Sequence, residues 1–152
     1  LLANRNGRAV RFDENDVRTM GRVSTGVIGM RLDGDDDEVV GLVCVNDPQT
    51  ETIMVGSENG YGKRSEVEDY RKTARGAKGV KTLAITEKTG RLVAIKVVTD
   101  ENDLMTINKS GILIRLKDCF SAINRALPVK RHVSDPVVIV KCDPVRTVME
   151  GF

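Results

Sequence analysis

The chain has 152 residues, of which 40% are apolar, and this length suits one domain or a fragment of a larger repeat domain. It has no tryptophan and only 3% aromatic residues, so valine, isoleucine and leucine must form most of the core. No apolar run approaches the ~20 residues that span a bilayer, and the first residues become polar too soon for a signal peptide. We therefore expect a cytoplasmic protein with no membrane partner.

Motifs for catalysis or metal binding are missing from the sequence. The cysteines are odd in number and form no CxxC pair, which indicates neither a disulfide framework nor a zinc site; they are Cys44, Cys119 and Cys142. The lone histidine, His132, has no Ser or Cys motif around it. Residues 33–38 lack the register and final glutamate of a calcium loop, and residues 60–65 lack the first glycine of a P-loop. We expect no catalytic residue, metal or cofactor.

Charge alternates in blocks along the chain. Residues 1–32 contain six arginines and three acidic residues, and residues 33–59 contain eight acidic residues and no basic one. Residues 60–91 contain nine basic against four acidic residues, and residues 105–135 contain six against two. Such an alternation indicates a repeating unit.

An internal repeat organises the sequence. A shift of 53 residues aligns these positions without a gap: Asn6-Gly7 with Asn59-Gly60, Arg11 with Arg64, Asp16 with Asp69, Arg18 with Arg71, Arg22 with Arg75, Gly26-Val27 with Gly79-Val80, Val45 with Val98, and Asp47 with Asp100. A further shift of 51 aligns Ile53-Met54 with Leu104-Met105, Gly60 with Gly111, and Arg64 with Arg115. We predict full units at 1–50 and 51–103 and a partial or diverged unit at 104–152.

Each unit has the pattern of antiparallel strands. The apolar run 53–55, the dipeptide Asn59-Gly60 and the run 61–65 predict a hairpin with a tight turn. Residues 39–45 and 92–98 are equivalent β-rich runs, and only short helices fit near 15–21 and 66–71. About four strands per ~50 residues is typical of a propeller blade, so the predicted fold class is all-β.

Two stretches resemble late blades of the DNA gyrase A C-terminal domain. The first runs from Gly7-Arg8-Ala9-Val10-Arg11-Phe12 to Gly26-Val27-Ile28-Gly29, and the second contains Asn59-Gly60-Tyr61-Gly62-Lys63-Arg64 and ends in Lys78-Gly79-Val80. The resemblance covers roughly residues 1–116. It implies a β-pinwheel, a ring of blades that wraps duplex DNA, and it implies the remainder of gyrase A and gyrase B as partners.

The chain departs from the family pattern at two places. The wrapping signature Gln-Arg-Arg-Gly-Gly-Lys-Gly belongs to the first blade of the family, and the nearest run here, 73–79, keeps one Arg, the Lys and two Gly. No glycine occurs between Gly111 and Gly151, where the third unit would need its loop. Either this blade has diverged or the chain closes differently.

Basic residues at repeated positions are the candidate DNA contacts. Equivalent positions of packed blades lie on one path, so Arg11, Arg64 and Arg115 would form a stripe that follows the phosphates. The complete predicted set is Arg8, Arg11, Arg18, Arg22, Lys63, Arg64, Arg71, Arg75, Lys78 and Arg115. Gly26, Gly76 and Gly79 are expected in turns at positive φ. Because glycine has no side chain, a phosphate could approach the backbone amides there closely. The alternative is a solvated charged face that protects edge strands from aggregation.

Three classes of function remain open. The first is bending and wrapping of duplex DNA without base readout, as an accessory part of a type II topoisomerase; the corresponding part of topoisomerase IV is a close variant. The second is a protein-interaction propeller, although such blades usually carry Trp-Asp signatures. The third is a small enzyme, for which the sequence shows no supporting constellation. Tyr70, beside Asp69 and Arg71, suggests the DNA-cleaving tyrosine of topoisomerases, but in the family that tyrosine lies in a separate N-terminal domain, so Tyr70 is expected at the blade edge, near the DNA backbone. Incomplete blades also expose strand edges that invite self-association.

Overall fold

The computed structural model describes residues 1–107, 113–116 and 138–142, and its regular elements are almost all strands. In chain order these are β1 (Leu2–Asn4), β2 (Arg8–Val10), β3 (Val39–Leu42), β4 (Thr52–Ser57), β5 (Gly62–Glu66), β6 (Val80–Lys81), β7 (Leu92–Val98), β8 (Asp103–Ile107), β9 (Leu113–Leu116) and β10 (Val138–Cys142). Two single turns of 3-10 helix, Glu14–Asp16 and Val67–Asp69, are the only helical segments in the described ranges. The all-β prediction is therefore confirmed.

The strands form three antiparallel sheets with one recurring order. The first sheet is β3-β1-β2-β6, the second is β7-β4-β5, and the third is β10-β8-β9. In each sheet the first strand of a hairpin lies in the middle, its hairpin partner lies on one side, and a later strand lies on the other. The third unit, whose form the sequence left open, thus supplies strands in the same order as the other two.

The register of the three hairpins follows the sequence repeat residue by residue. Ala3 pairs with Ala9 between β1 and β2, and their counterparts 53 positions later, Gly56 and Gly62, pair between β4 and β5. A further 51 positions lead to the pair Ile107 and Leu113 between β8 and β9. The same two offsets thus relate the three hairpins in sequence and in register, whereas the pairing of β10 with β8 does not follow the offset of 51 from β7.

The first sheet is completed by a strand from the next unit. In β6, Lys81 pairs with Arg8 and Val80 pairs with Ala9, so the edge of β2 is covered by a strand that follows β5 in the chain. Unit 2 therefore reaches back over unit 1, and the fourth strand of the first sheet belongs to the sequence of the second repeat. The boundaries 1–50, 51–103 and 104–152 stay a prediction.

The core lies where the first two sheets meet. Strand β4 is buried along its whole length because β5 and β7 flank it on both sides. Ala3 and Ala9 of the first sheet belong to the same buried cluster as Ile53, Val55 and Leu92 of the second sheet. The small side chains at positions 3 and 9 leave room for the branched residues of the second sheet, so the two sheets pack as one unit.

Other expectations are met in the turns. Gly60 closes the predicted hairpin with a φ of 77°, and Gly26, Gly76 and Gly79 have φ values of 88°, 76° and 77°. No helix among the described residues has the length and apolarity to cross a membrane. The tail from residue 117 onward, including His132, lies outside the described residues apart from strand β10.

Candidate nucleic-acid interface

A stretch with only basic charges follows the 3-10 turn Val67–Asp69 and runs to the end of strand β6. Residues 71–81, here named the basic crossover segment, contain five basic residues and no acidic one: Arg71, Lys72, Arg75, Lys78 and Lys81. All five are exposed. Because the segment passes from the second sheet to the edge of the first, it places its charges along the junction of two units.

Backbone hydrogen bonds fix the basic crossover segment on the first unit. The amide of Thr73 donates to the carbonyl of Arg11 at 2.8 Å, and the amide of Gly76 donates to the carbonyl of Gly29 at 2.7 Å. In the reverse direction, the amide of Arg31 donates to the carbonyl of Ala77 at 3.0 Å. The spacing of the charged side chains is therefore set by the fold, which reduces the entropy lost when a ligand binds.

Gly79 allows this segment to approach the sheet closely. A Cβ at this position would lie 2.2 Å from the carbonyl oxygen of Ala9, and the φ of +77° is itself unfavourable for an L residue. Only glycine therefore fits between the crossover segment and strand β2. Contact of this turn with a phosphate remains a prediction.

Three cations of the segment have no acidic partner among the residues that the structure describes. The side chains of Arg71 and Lys81 make no hydrogen bond or ion pair with any residue in the described ranges. Arg75 donates from Nε to the carbonyl of Asp16 at 3.1 Å and from Nη1 to the carbonyl of Ile28 at 3.4 Å. Carbonyl groups orient a guanidinium without neutralising it, so all three residues offer positive charge to solvent.

The other two cations are paired with aspartates of the first unit. Lys72 forms an ion pair with Asp13, and this contact, together with hydrogen bonds from Asn15, lowers the pKa of Asp13 to about 2. Lys78 lies 2.7 Å from Asp33, which also lies 3.5 Å from Nε of Arg8. The hydrogen bond from Lys78 is the main reason that the pKa of Asp33 is lowered. Both pairs are exposed, so each contributes little stability.

The acidic run 33–38 is an organised loop next to this surface. The buried carboxylate of Asp37 accepts hydrogen bonds from Nδ2 of Asn4 at 2.6 Å and from the amide of Asp33 at 3.0 Å. Its neighbours pair outward, Asp36 with Arg91 at 3.2 Å and Glu38 with Arg5 at 3.1 Å. Most of the run is therefore exposed to solvent, whereas Asp37 is buried because the loop backbone needs its carboxylate as an acceptor.

Arg11 and Arg64, the core of the predicted stripe, point largely into the protein. The side chain of Arg11 is 20% exposed, and its Nη1 donates to the carbonyls of Val67 at 3.0 Å and Tyr70 at 3.2 Å. That of Arg64 is 13% exposed and donates from Nε to Thr52 and from Nη2 to Asp100, both at 2.6 Å. DNA contact by either residue stays a prediction, and it would require these bonds to open.

The remaining predicted positions fall in three places. Arg18 and Arg22 are exposed in the connection after the first 3-10 turn, which is the counterpart of the basic crossover segment in unit 1. Lys63 is exposed on β5, and Arg8 is half-buried on β2 opposite Lys81. The backbone of Arg115 lies in β9, while its side chain lies outside what the structure describes. Of the predicted residues, the fold thus brings Arg8, Arg75 and Lys78 to the junction of units 1 and 2.

Two cations at this junction, Lys72 and Lys81, escaped prediction. Their counterparts in unit 1 are Thr19 and Ile28, so a search for repeated basic residues passes over them. The absence of acidic residues from 71–81 was the signal that could have found them.

Tyr70 was expected near DNA at the blade edge, but it is 2% exposed and bonded to the hydroxyl of Thr82. Burial raises the pKa of Tyr70, which is a core residue.

Known proteins are similar to this chain in sequence. The model of the family described as DNA gyrase C-terminal domain, beta-propeller, matches residues 1–46 and 51–99. The DNA gyrase A proteins of Staphylococcus aureus strains MRSA252 and NCTC 8325 are each 45% identical over 116 residues, which is 76% of this chain and 13% of theirs. The chain therefore spans only a small part of the length of these relatives.

Two solved structures have the same fold. A C-terminal domain of DNA topoisomerase IV superposes with a TM-score of 0.80 at 20% identity, covering 93% of this chain and 46% of the other. A DNA gyrase A C-terminal domain superposes with a TM-score of 0.71 at 23% identity, covering 92% and 49%. The predicted β-pinwheel fold is therefore confirmed, and the sequence match shows that the chain belongs to the family of DNA gyrase C-terminal domains.

Proposed function

We propose that this chain binds duplex DNA through phosphate contacts and bends it, as the accessory, non-catalytic part of a type II topoisomerase of the gyrase class. The observation that carries the proposal is the basic crossover segment, in which Arg71, Arg75 and Lys81 present charge without an acidic partner in the described ranges. Membership of the DNA gyrase C-terminal domain family supports duplex DNA as the ligand.

Binding would be driven by release of counterions from the phosphates. Each phosphate neutralised by Lys or Arg contributes about −0.9 to the slope of log affinity against log salt, whatever the base sequence. Because the basic crossover segment spans the junction of two units, repeated junctions would offer charge at regular intervals along a curved path. A duplex that follows such a path is bent, and the additional phosphate contacts offset the energy of bending.

The partners and setting of this activity follow from the relatives. The whole gyrase A proteins are far longer than this chain, so DNA cleavage, ATP use and assembly with the remainder of gyrase A and with gyrase B would reside outside it. The bacterial cytoplasm, where chromosomal DNA is accessible, is the setting that we propose. Negative supercoiling by the complete enzyme would require this chain only to present a bent duplex.

A part of topoisomerase IV is the second candidate. The fold matches the topoisomerase IV domain with the higher TM-score, 0.80 against 0.71, but identities of 20% and 23% carry no functional distinction. The 45% identity to gyrase A proteins favours the gyrase class. Both candidates use the same chemistry on the same ligand, so they share the experiment below.

Removal of two unpaired cations of the basic crossover segment tests the proposal. We expect the double substitution Arg71→Ala and Lys81→Ala to weaken binding of a random-sequence duplex and to reduce the salt slope by about 1.8, because two phosphate contacts are lost. Titrations of an end-labelled duplex over a salt series measure both quantities. Energy transfer between the duplex ends should rise on binding to the original chain and rise less with the variant.

The matched control removes the same charge elsewhere. The pair Lys88→Ala and Lys96→Ala changes two exposed lysines outside the basic crossover segment, so the net charge is equal in both variants. We expect the control to keep the original slope. Equal slopes for the two variants would refute the assigned surface, and no binding by the original chain at low salt would refute DNA as its ligand.

A further inference from the structure

Arg11 of unit 1 contacts the chain of unit 2 immediately before and immediately after the first two cations of the basic crossover segment. Its Nη1 donates to the carbonyl of Val67 at 3.0 Å and to the carbonyl of Tyr70 at 3.2 Å. Its carbonyl accepts from the amide of Thr73 at 2.8 Å and from the hydroxyl of Thr73 at 3.3 Å. The side chain and the backbone of one residue thus hold both ends of the dipeptide 71–72.

These hydrogen bonds determine how the backbone enters and leaves this dipeptide. A peptide group is planar, so a bond to the carbonyl of Tyr70 also orients the amide of Arg71. In the same way, a bond from the amide of Thr73 orients the carbonyl of Lys72. An isolated parallel bridge between Arg11 and Lys72 belongs to the same contact. Unit 1 therefore restricts the directions in which both cationic side chains leave the backbone.

The contact is anchored in the buried part of the two units. Val10, which precedes Arg11, is fully buried, and so is Val67. The chain then leaves the core at Tyr70, which is buried, and the next side chain, that of Arg71, is exposed. A cation that follows such a fixed point has fewer positions to sample, so less conformational entropy is lost when it meets a phosphate.

The guanidinium of Arg11 is itself occupied inside the protein. Besides its two carbonyl partners, Nη1 has the carboxylate of Glu68 at 3.7 Å. A planar guanidinium presents its N–H groups in fixed directions, which the flexible ammonium of a lysine does not reproduce. The two carbonyl bonds therefore depend on arginine, whereas a positive charge at position 11 does not.

We propose that Arg11 acts in DNA binding as a positioning residue: it holds Arg71 and Lys72 where both cations meet phosphates, and it makes no phosphate contact of its own. The inference rests on the proposed function, because it concerns the surface assigned there. It differs from the stripe expected from the sequence, in which Arg11 itself follows the phosphates. Replacement of Arg11 would therefore act on affinity only through Arg71 and Lys72.

Replacement of Arg11 by lysine keeps the charge and removes the carbonyl contacts. We expect Arg11→Lys to weaken binding of a random-sequence duplex about threefold to tenfold, because Arg71 and Lys72 lose more freedom on binding. The salt slope should stay unchanged, since the same phosphates are neutralised. Lysine also binds phosphate as a point charge, so unchanged affinity would indicate direct contact and overturn the proposal. A lowered slope would overturn it as well, because phosphate contacts themselves would then be lost.

The matched control is the same replacement elsewhere in unit 1. In Arg5→Lys the altered side chain pairs with Glu38, at 3.1 Å in the original chain, and lies outside the basic crossover segment. We expect the original affinity for this variant. Denaturant unfolding of both variants separates a purely structural role, which would lower the free energy of unfolding but leave the affinity of the folded protein unchanged. Binding is therefore measured well below the unfolding transition.

A double-mutant cycle tests whether Arg11 acts through the two cations. In a chain that carries Arg71→Ala and Lys72→Ala, we expect Arg11→Lys to cause no further loss of affinity, since nothing is left to position. A loss of the same size in both backgrounds would refute the assigned role. No binding by the original chain at low salt would instead refute the proposed function, so the two failures are distinguishable.

Discussion

Arginine is repeated at positions 11 and 64, yet both side chains are largely buried in hydrogen bonds to the protein. Arg11 donates to the carbonyls of Val67 and Tyr70, at the start and just past the end of the 3-10 turn in unit 2, and Arg64 joins Thr52 to Asp100 within its own unit. A residue that recurs at equivalent positions can therefore serve contacts inside the protein, between units for Arg11 and within one unit for Arg64. Repetition in the sequence therefore identified positions of importance, but it could not distinguish an inward guanidinium from one that faces a ligand.

Glycines at positive φ were the residues that the sequence predicted best. Their requirement is local, since the left-handed conformation is accessible to glycine and costly for other residues, so no tertiary information is needed. The closeness of Gly79 to the backbone of Ala9 was not predictable, because the two residues lie in different units. Burial of Tyr70 and Asp37 escaped prediction because it depends on tertiary contacts: Tyr70 belongs to the buried cluster that contains Ala3 and Ala9, and Asp37 accepts a hydrogen bond from Asn4.

Substitution of Gly79 tests both its positive φ and its close approach to Ala9. We expect Gly79→Val to lower the free energy of unfolding by more than about 2 kcal/mol, because a β-branched residue at positive φ costs about 1–2 kcal/mol and the Cβ would also clash with Ala9. Denaturant unfolding measures the change. Gly34→Val is the control, because it introduces the backbone strain of positive φ at a position with no described atom within 4 Å. An equally large loss of unfolding free energy in Gly34→Val would show that the close approach of Gly79 to Ala9 is not responsible.

Among the elements, the strands formed by longer β-rich runs could be predicted, and the short strand β6 could not. Strand β7 coincides with the predicted run 92–98, and β4 and β5 enclose the predicted hairpin. Strand β6 has only the two residues Val80 and Lys81, too few for any periodicity, and it exists because β2 offers it an edge. The four strands expected per unit are thus shared between units in the first sheet.

The acidic loop 33–38 and the basic crossover segment act on each other through one aspartate. Asp33 holds both Lys78 and Arg8, two of the predicted DNA contacts. A phosphate that approaches these cations must compete with the Asp33 carboxylate and also experiences its repulsion. Under the proposed function the loop would therefore weaken phosphate binding at this junction, while its ion pairs fix the geometry of the two cations.

Neutralisation of Asp33 should strengthen DNA binding. We expect Asp33→Asn to raise affinity about two- to fivefold at low salt, in line with the small energy of an exposed ion pair that no longer has to be broken. Direct titration with duplex measures the change. Asp35→Asn removes the same charge from an exposed position of the same loop, so a gain of equal size there would show that only net charge matters.

At the scale of the molecule, the first two sheets form one packed body through a close contact. A Cβ on Gly41 of β3 would lie 2.8 Å from Cγ2 of Ile95 on β7. Ile95 is 4% exposed and branched at Cβ, so its methyl group has no room to rotate away. The periodicity of the sequence predicted that units exist and recur at 53 and 51 residues. It could not predict how closely they pack, which depends on small residues at a few facing positions.

Overpacking of this contact should destabilise both units together. We expect Gly41→Val to lower the free energy of unfolding by about 1–3 kcal/mol, with a single transition retained. Adding Ile95→Ala removes the clashing methyl group, so the double variant should lose less stability than the sum of the two single changes. Strict additivity, measured by denaturant unfolding of all four proteins, would show that the two residues do not determine the packing of the sheets.

The pairing of β6 from unit 2 with β2 of unit 1 also determines when the first sheet can be completed during synthesis. As the chain leaves the ribosome, β1, β2 and β3 emerge first, but the edge of β2 stays uncovered until Val80 and Lys81 have followed. The nascent first blade must wait for most of the second, with an open edge that other chains could pair with in the meantime. Slow elongation through residues 51–81 would therefore lengthen the period in which this protein is most prone to misassembly.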